Sequence, residues 1–140
     1  MCNQTIVKHL ASLEDLDEIR DFISRQLADH GCDPDTTYDV QLAVVELMTN
    51  SIIHGYKGKP GFVEIEVEQN GTKMLVFVRD HAAQFDPTQA PPPDLSLPLE
   101  QRCFGGMGIY LVKQIVNEMK YQPLPQGGNE VTLVINKRPD

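Results

Sequence analysis

Between Asp33 and Gly55 the chain carries a helical pattern that is apolar on almost every side and yet holds one polar line. Asp33-Pro34 supplies an N-cap followed by proline at the first helical position, and His54-Gly55 supplies a glycine where a left-handed cap would end the helix. Such a span of about 20 residues is roughly 30 Å long. At ~100° per residue, Ala43, Val44, Val45, Leu47, Met48, Ile52 and Ile53 point in nearly all directions, so the helix is expected to be buried inside a domain. Glu46, Asn50 and His54 follow at i, i+4 and i+8 and form a narrow polar seam on it.

A buried carboxylate without a partner costs several kcal/mol, so this seam requires compensation from protein, water or ligand. In one reading Glu46 caps a neighbouring loop and Asn50 bonds a strand edge. In the other the seam faces a bound nucleotide, with the Asn50 amide oxygen on Mg²⁺ and Glu46 as a proton acceptor. Spacing does not choose between them.

With 140 residues the chain is expected to form one domain, 1–140, with a real core. A net charge of −8 argues against binding a phosphate backbone, which needs clustered Lys and Arg, so direct contact with nucleic acid is not expected. No apolar run approaches the ~18 residues of a membrane span. The segment MCNQTIVKHL lacks the layout of a signal peptide, and Cys2, Cys32 and Cys103 form no CxxC pair, which together suggest a cytoplasmic protein with reduced thiols. The four histidines show no zinc-binding spacing.

Gln4 to Leu10 reads as a strand, and Ser12 opens a helix with Leu16, Ile19, Phe22, Ile23 and Leu27 on its apolar stripe and Gly31 at its end. Val63, Ile65 and Val67 alternate with Glu64, Glu66 and Glu68 in a strand with an acidic outer face, and Asn70-Gly71 marks a hairpin turn. Met74 to Val78 is continuously apolar and is expected to be buried on both faces. A Pro-rich loop runs from His81 to Phe104, and its part from Pro87 onward is expected to be a lid. Gly105 to Tyr121 is expected to be helical, and Glu130 to Lys137 to be the last strand.

Gly105-Gly106-Met107-Gly108 leads into that last helix, where bare backbone N–H groups and an electropositive helix end suit a phosphate; three glycines could equally be a tight helix entrance. Asp80 stands just past an apolar strand, where an acceptor-only carboxylate can read an exocyclic amine, although a turn-forming Asp looks the same.

The order ExxxNxxxHGY on a helix, a strand ending in Asp80, Phe85-Asp86-Pro87, a variable loop, GGMG and GNEVTLVINK resembles the GHKL ATPases, the superfamily of gyrase, histidine kinases and MutL. Within it the chain is most similar to the small stand-alone anti-sigma factor serine/threonine kinases of the RsbW and SpoIIAB type. The resemblance implies the Bergerat fold, an α/β (α+β) two-layer sandwich with a mixed, largely antiparallel sheet and three principal helices on one face. It implies ATP and Mg²⁺ as cofactors, Glu46 as general base, Asn50 as the metal ligand and Asp80 as reader of the adenine amine. Around the nucleotide it also implies His54, Ala82, Phe85, Arg102, Gly105, Gly106, Met107, Gly108 and Thr132. As partners it implies a sigma factor, a STAS-domain anti-anti-sigma factor and a second copy of the chain.

One position departs from the pattern. The family has glycine two residues after the aspartate, whereas here Asp80-His81 is followed by Ala82, which adds a methyl group near the base and disfavours positive φ. That substitution favours a second reading, a module that binds a partner without phosphorylating it.

Overall fold

The computed structural model describes residues 4–89, 96 and 106–137, except for the side chains of 106 and 107. Strand β1 (Gln4–Ala11) leads to Ser12, which caps a short 3₁₀ turn: its hydroxyl accepts from the Glu14 N–H while its own N–H donates to Asp15 Oδ2 at 2.9 Å. Helix α1 (Leu16–Asp29) follows, burying Ile19, Phe22, Ile23 and Leu27, and the chain reverses at Gly31 with φ 76°. Asp33 then caps α2 (Pro34–Asn50) by accepting from the Thr36 N–H, with Pro34 at the first helical position. From Val40 to Gly55 no residue of α2 or of the turn after it is fully exposed, so this is the buried central helix that its apolar pattern requires.

The helix does not stop at Asn50. Ser51 to Gly55 continue as a π-helical turn, closed by the Tyr56 N–H donating to the Ser51 carbonyl at 2.8 Å. Such wide turns usually occur at functional sites, because one inserted residue re-aims its neighbours.

Strands β2 (Gly61–Asn70) and β3 (Lys73–Asp80) form the hairpin signalled by Asn70-Gly71, with Gly71 at φ 63°. After helix α3 (Gly106–Ile115), β4 (Glu118–Pro123) and β5 (Asn129–Asn136) complete a five-stranded sheet in the order β1-β2-β3-β5-β4. Its four ladders are all antiparallel. Val63, Ile65 and Val67 of β2, Met74, Val76 and Val78 of β3, and Val131, Leu133 and Ile135 of β5 share one apolar cluster with residues of all three helices. The result is a two-layer α/β sandwich with the helices on one face of the sheet.

Three expectations need correction. The last helix ends at Ile115 rather than Tyr121, and Glu118–Pro123 is the edge strand β4. Asn117 makes the break: its N–H donates to the Val134 carbonyl and its side-chain oxygen accepts from the Asn136 N–H, both bonds to β5. Strand β3 is buried on one face only. Leu75 and Phe77 are half-buried on the outer face, where the Arg79 guanidinium lies 5.0 Å from the Phe77 ring and pairs with Glu64, Glu66 and Glu130. Burial opposes the Arg79 charge, but hydrogen bonds to Glu130, Glu64 and Glu66 outweigh it and raise its pKa above the ordinary value.

The third correction concerns the loop after β3. Pro87–Gln89, expected to begin the lid, is a 3₁₀ turn with Pro87 buried, and Lys113 of α3 donates to the Thr88 carbonyl at 3.0 Å. The rest of the expected lid, apart from residue 96, lies outside the described residues.

Candidate functional site

Helix α2 brings Glu46 and Asn50 onto one side at a spacing of four, and the π turn carries His54 onto the same side. With Thr49, Ile53, Gly108 and Ile109 they line a cleft of about 220 Å³ between α2 and the start of α3. Contact across the cleft is close: a β-carbon built on Gly108 would stand 2.5 Å from Glu46 Oε2. Only glycine at 108 therefore lets the carboxylate occupy this position beside the first turn of α3. That turn is where a helix presents backbone N–H groups without intrahelical partners, together with partial positive charge.

Asp80 does not line this cleft. It is joined to it by Ser51, the residue after Asn50, whose hydroxyl donates to Asp80 Oδ2 at 2.6 Å. The other carboxylate oxygen, Oδ1, accepts from the Ala82 N–H at 3.1 Å and from Asn129 Nδ2 at 2.8 Å. Each carboxylate oxygen has two lone pairs, so Oδ1 is filled by these two donors while Oδ2 retains one acceptor position. One more donor, such as an exocyclic amine, matches that capacity.

Ala82 is 5% exposed and needs no unusual backbone, since Lys57 alone among the described non-glycine residues has positive φ. Its methyl group is accommodated by Gly55, where an added β-carbon would lie 2.7 Å from the Ala82 Cβ. Tyr56 fastens the same corner. Its ring lies over Gly61, its hydroxyl donates to the Phe62 carbonyl at 2.7 Å, and it accepts from the His81 N–H at 2.7 Å. Burial, followed by the nearby Asp80 charge, outweighs the His81 bond and raises the Tyr56 pKa.

The expected site residues thus divide into groups. Glu46, Asn50, His54 and Gly108 meet in the cleft, while Asp80, Ala82 and Phe85 lie on the segment tied to it through Ser51. Phe85 is 51% exposed, with its N–H held by Asn129. Gly106 begins α3; Arg102, Gly105 and the Met107 side chain lie outside the described residues. Thr132 is misplaced. It pairs with Phe77 and Lys120, whereas Asp80 belongs to the alternate set that pairs with Asn129, so Thr132 is on the other face of the sheet.

Asn129, Ser51 and Tyr56 are functional candidates to which the sequence assigned no role, although Tyr56 closes the ExxxNxxxHGY stretch and Asn129 lies in GNEVTLVINK. Gly127-Gly128 just before Asn129, with φ of 100° and 107°, was the available signal, since two adjacent left-handed residues mark a hairpin packed tightly against something. A side chain on Gly128 would collide with the Asp80 carbonyl.

A model of the histidine kinase-like ATPase domain matches residues 10–135. The serine/threonine-protein kinase BtrW of Bordetella bronchiseptica is 27% identical over 104 residues, which are 74% of this chain and 72% of that one. An anti-sigma F factor of a Thermoanaerobacter species is 31% identical over 96 residues, 68% of this chain and 66% of its own. Among solved structures, one of the RsbU and RsbW domains of a Mycobacterium tuberculosis protein superposes with a TM-score of 0.70 at 18% identity, covering 99% of this chain and 34% of that one. The last likeness is one of fold.

Proposed function

The chain belongs to the histidine kinase-like ATPase domain family, and on that premise we propose that it is an anti-sigma factor with kinase activity. In this reading it binds a sigma factor and uses Mg·ATP to phosphorylate a serine or threonine of a STAS-domain anti-anti-sigma partner, as a homodimer in the cytoplasm. Relatives named as a serine/threonine-protein kinase and as an anti-sigma F factor support both halves. The observation that carries the proposal is the meeting of Glu46 with Gly108: a candidate proton acceptor and a candidate phosphate-binding helix turn face the same cleft.

Asn50 offers an amide oxygen on one wall of the cleft, which suits Mg²⁺, a hard ion that takes few protein ligands and relies on phosphates for the rest. When bound there, Mg²⁺ would offset charge on the phosphate oxygens during transfer. The chain's own contributions are then distinct. The Asn50 amide oxygen would hold the ion, the first turn of α3 with Gly108 would receive phosphate oxygens, and the remaining acceptor position on Asp80 Oδ2 would take the base amine. Glu46 accepts the proton of the incoming serine or threonine hydroxyl as that oxygen bonds to the terminal phosphorus and the bond from that phosphorus to the departing ADP breaks.

A negative charge of −8 suits a protein that meets the basic surface of a sigma factor without competing for DNA. No helix among the described residues is long and apolar enough to cross a membrane. The test is incubation with γ-labelled ATP, Mg²⁺ and a candidate STAS partner. Label on the partner supports the proposal; ATP and sigma-factor binding without label supports the second reading, a partner-binding module, which rests on Ala82 standing where the family pattern has glycine.

A further inference from the structure

Tyr56 holds His81 at the start of the segment that follows β3, and its next part, Ala83 to Phe85, is held by one side chain from another strand. Asn129, at the start of β5 and 7% exposed, donates through Nδ2 to Asp80 Oδ1 at 2.8 Å and to the Ala83 carbonyl at 3.1 Å. Through Oδ1 it accepts from the Phe85 N–H at 2.9 Å and from the Tyr121 hydroxyl at 2.7 Å. Both amide protons and both oxygen lone pairs are engaged, so the side chain has no capacity left and its orientation is fixed. Gly128 brings the hairpin backbone directly against the Asp80 carbonyl, which is how β5 comes close enough for these bonds.

We propose that Asn129 is the positioning residue of the base-recognition end of the site: it fixes the Asp80 carboxylate with one Oδ2 acceptor position open and pins the Ala82–Phe85 segment. In this chain a side-chain clamp from β5, rather than glycine after the aspartate, sets the course of the backbone there. Tyr121 on β4 orients the clamp in turn, so the edge strand is coupled to the site through a single amide. Asn129 touches no reacting atom; it acts through Asp80. The proposal rests on the nucleotide reading of the site.

Three proteins test it: wild type, Asn129→Ala and Asn129→Asp, with ATP binding measured by calorimetry and thermal unfolding recorded alongside. The ionisable groups around position 129 include Asp80, His81, Asp86, Tyr56 and Tyr121; burial raises the pKa of both tyrosines, which stay neutral over the range used, and His81 is common to all three proteins. In Asn129→Asp two carboxylates face each other, an arrangement that retains one proton to higher pH than either alone. With that proton, residue 129 again donates to Asp80 and accepts from Phe85 and Tyr121.

Both variants are expected to bind ATP about tenfold or more weakly at about pH 8, the effect of leaving buried polar groups unpaired. Asn129→Asp is expected to recover most of that loss near pH 5.5, in the manner of a shared carboxylate proton, whereas Asn129→Ala does not. A merely structural role would not produce this pH-dependent rescue. Unchanged affinity in both variants at about pH 8, or loss in Asn129→Asp that does not depend on pH, overturns the proposal. If the wild type itself fails to bind ATP, the nucleotide reading fails separately, and the clamp is judged from amide exchange at Phe85. Faster exchange in Asn129→Ala than in wild type supports the clamp, and equal exchange overturns it.

Discussion

The carboxylate of Glu46 on α2 lies so close to Gly108 on α3 that a single methyl group at residue 108 would stand 2.5 Å from Oε2. The obstructing atom is the far end of a flexible side chain, so Gly108→Ala is expected to displace Glu46 rather than unfold the protein. Alanine also favours the helix by up to about 1 kcal/mol over glycine. Phosphotransfer should fall about tenfold or more, because a catalytic group moved by about an ångström loses its alignment. Thermal unfolding alongside the transfer assay checks this: an inactive variant as stable as wild type is expected, and full activity would separate Gly108 from the chemistry.

Gly55 and Ala82 form a second pair, with room for one methyl group between them. Gly55→Ala is expected to destabilise the protein by about 1–3 kcal/mol through overpacking. Ala82→Gly in the same chain should return most of that loss. Urea unfolding of the two single variants and the double variant forms a complete cycle, and strictly additive effects would mean that the two residues do not compete for space.

Tyr56 is held neutral chiefly by burial, so its folded pKa lies above its unfolded value. A raised folded pKa means that the associated stability is fully present below the unfolded value, about 10, and is lost as pH rises through the folded one. Stability should therefore fall above about pH 10, and Tyr56→Phe should reduce that slope. At neutral pH the same variant should cost about 1–2 kcal/mol, because it removes the bond to the Phe62 carbonyl and leaves the His81 N–H without its acceptor. Denaturant midpoints measured across the alkaline range give both quantities.

Much of this architecture was legible because local chemistry and tertiary packing agree. Asp33-Pro34 caps α2 as its residue types require, Asn70-Gly71 turns the β2–β3 hairpin, and the all-round apolar pattern of α2 matches its burial. Strand β4 was hidden because Ile115, Val116 and Met119 continue a helical apolar rhythm, and only pairing with β5 overrides it. The resemblance implied Thr132, but strand register decides which face a residue occupies, and a shift of one position reverses the answer. Ser51 stands outside the polar line for a related reason. It lies off the Glu46, Asn50, His54 line and meets Asp80 where the π turn begins.

The central claim, that Glu46 serves as the proton acceptor in phosphate transfer from ATP to a partner hydroxyl, is tested most directly with Glu46→Gln. The measurement is the rate of label transfer from γ-labelled ATP to the STAS partner, with ATP and sigma-factor binding recorded on the same preparation. A general base contributes about 10²–10⁴-fold to rate without contributing much to ground-state binding. The account predicts a loss of that size in transfer, with both binding affinities within a few-fold of wild type. Transfer by Glu46→Gln at the wild-type rate would contradict it.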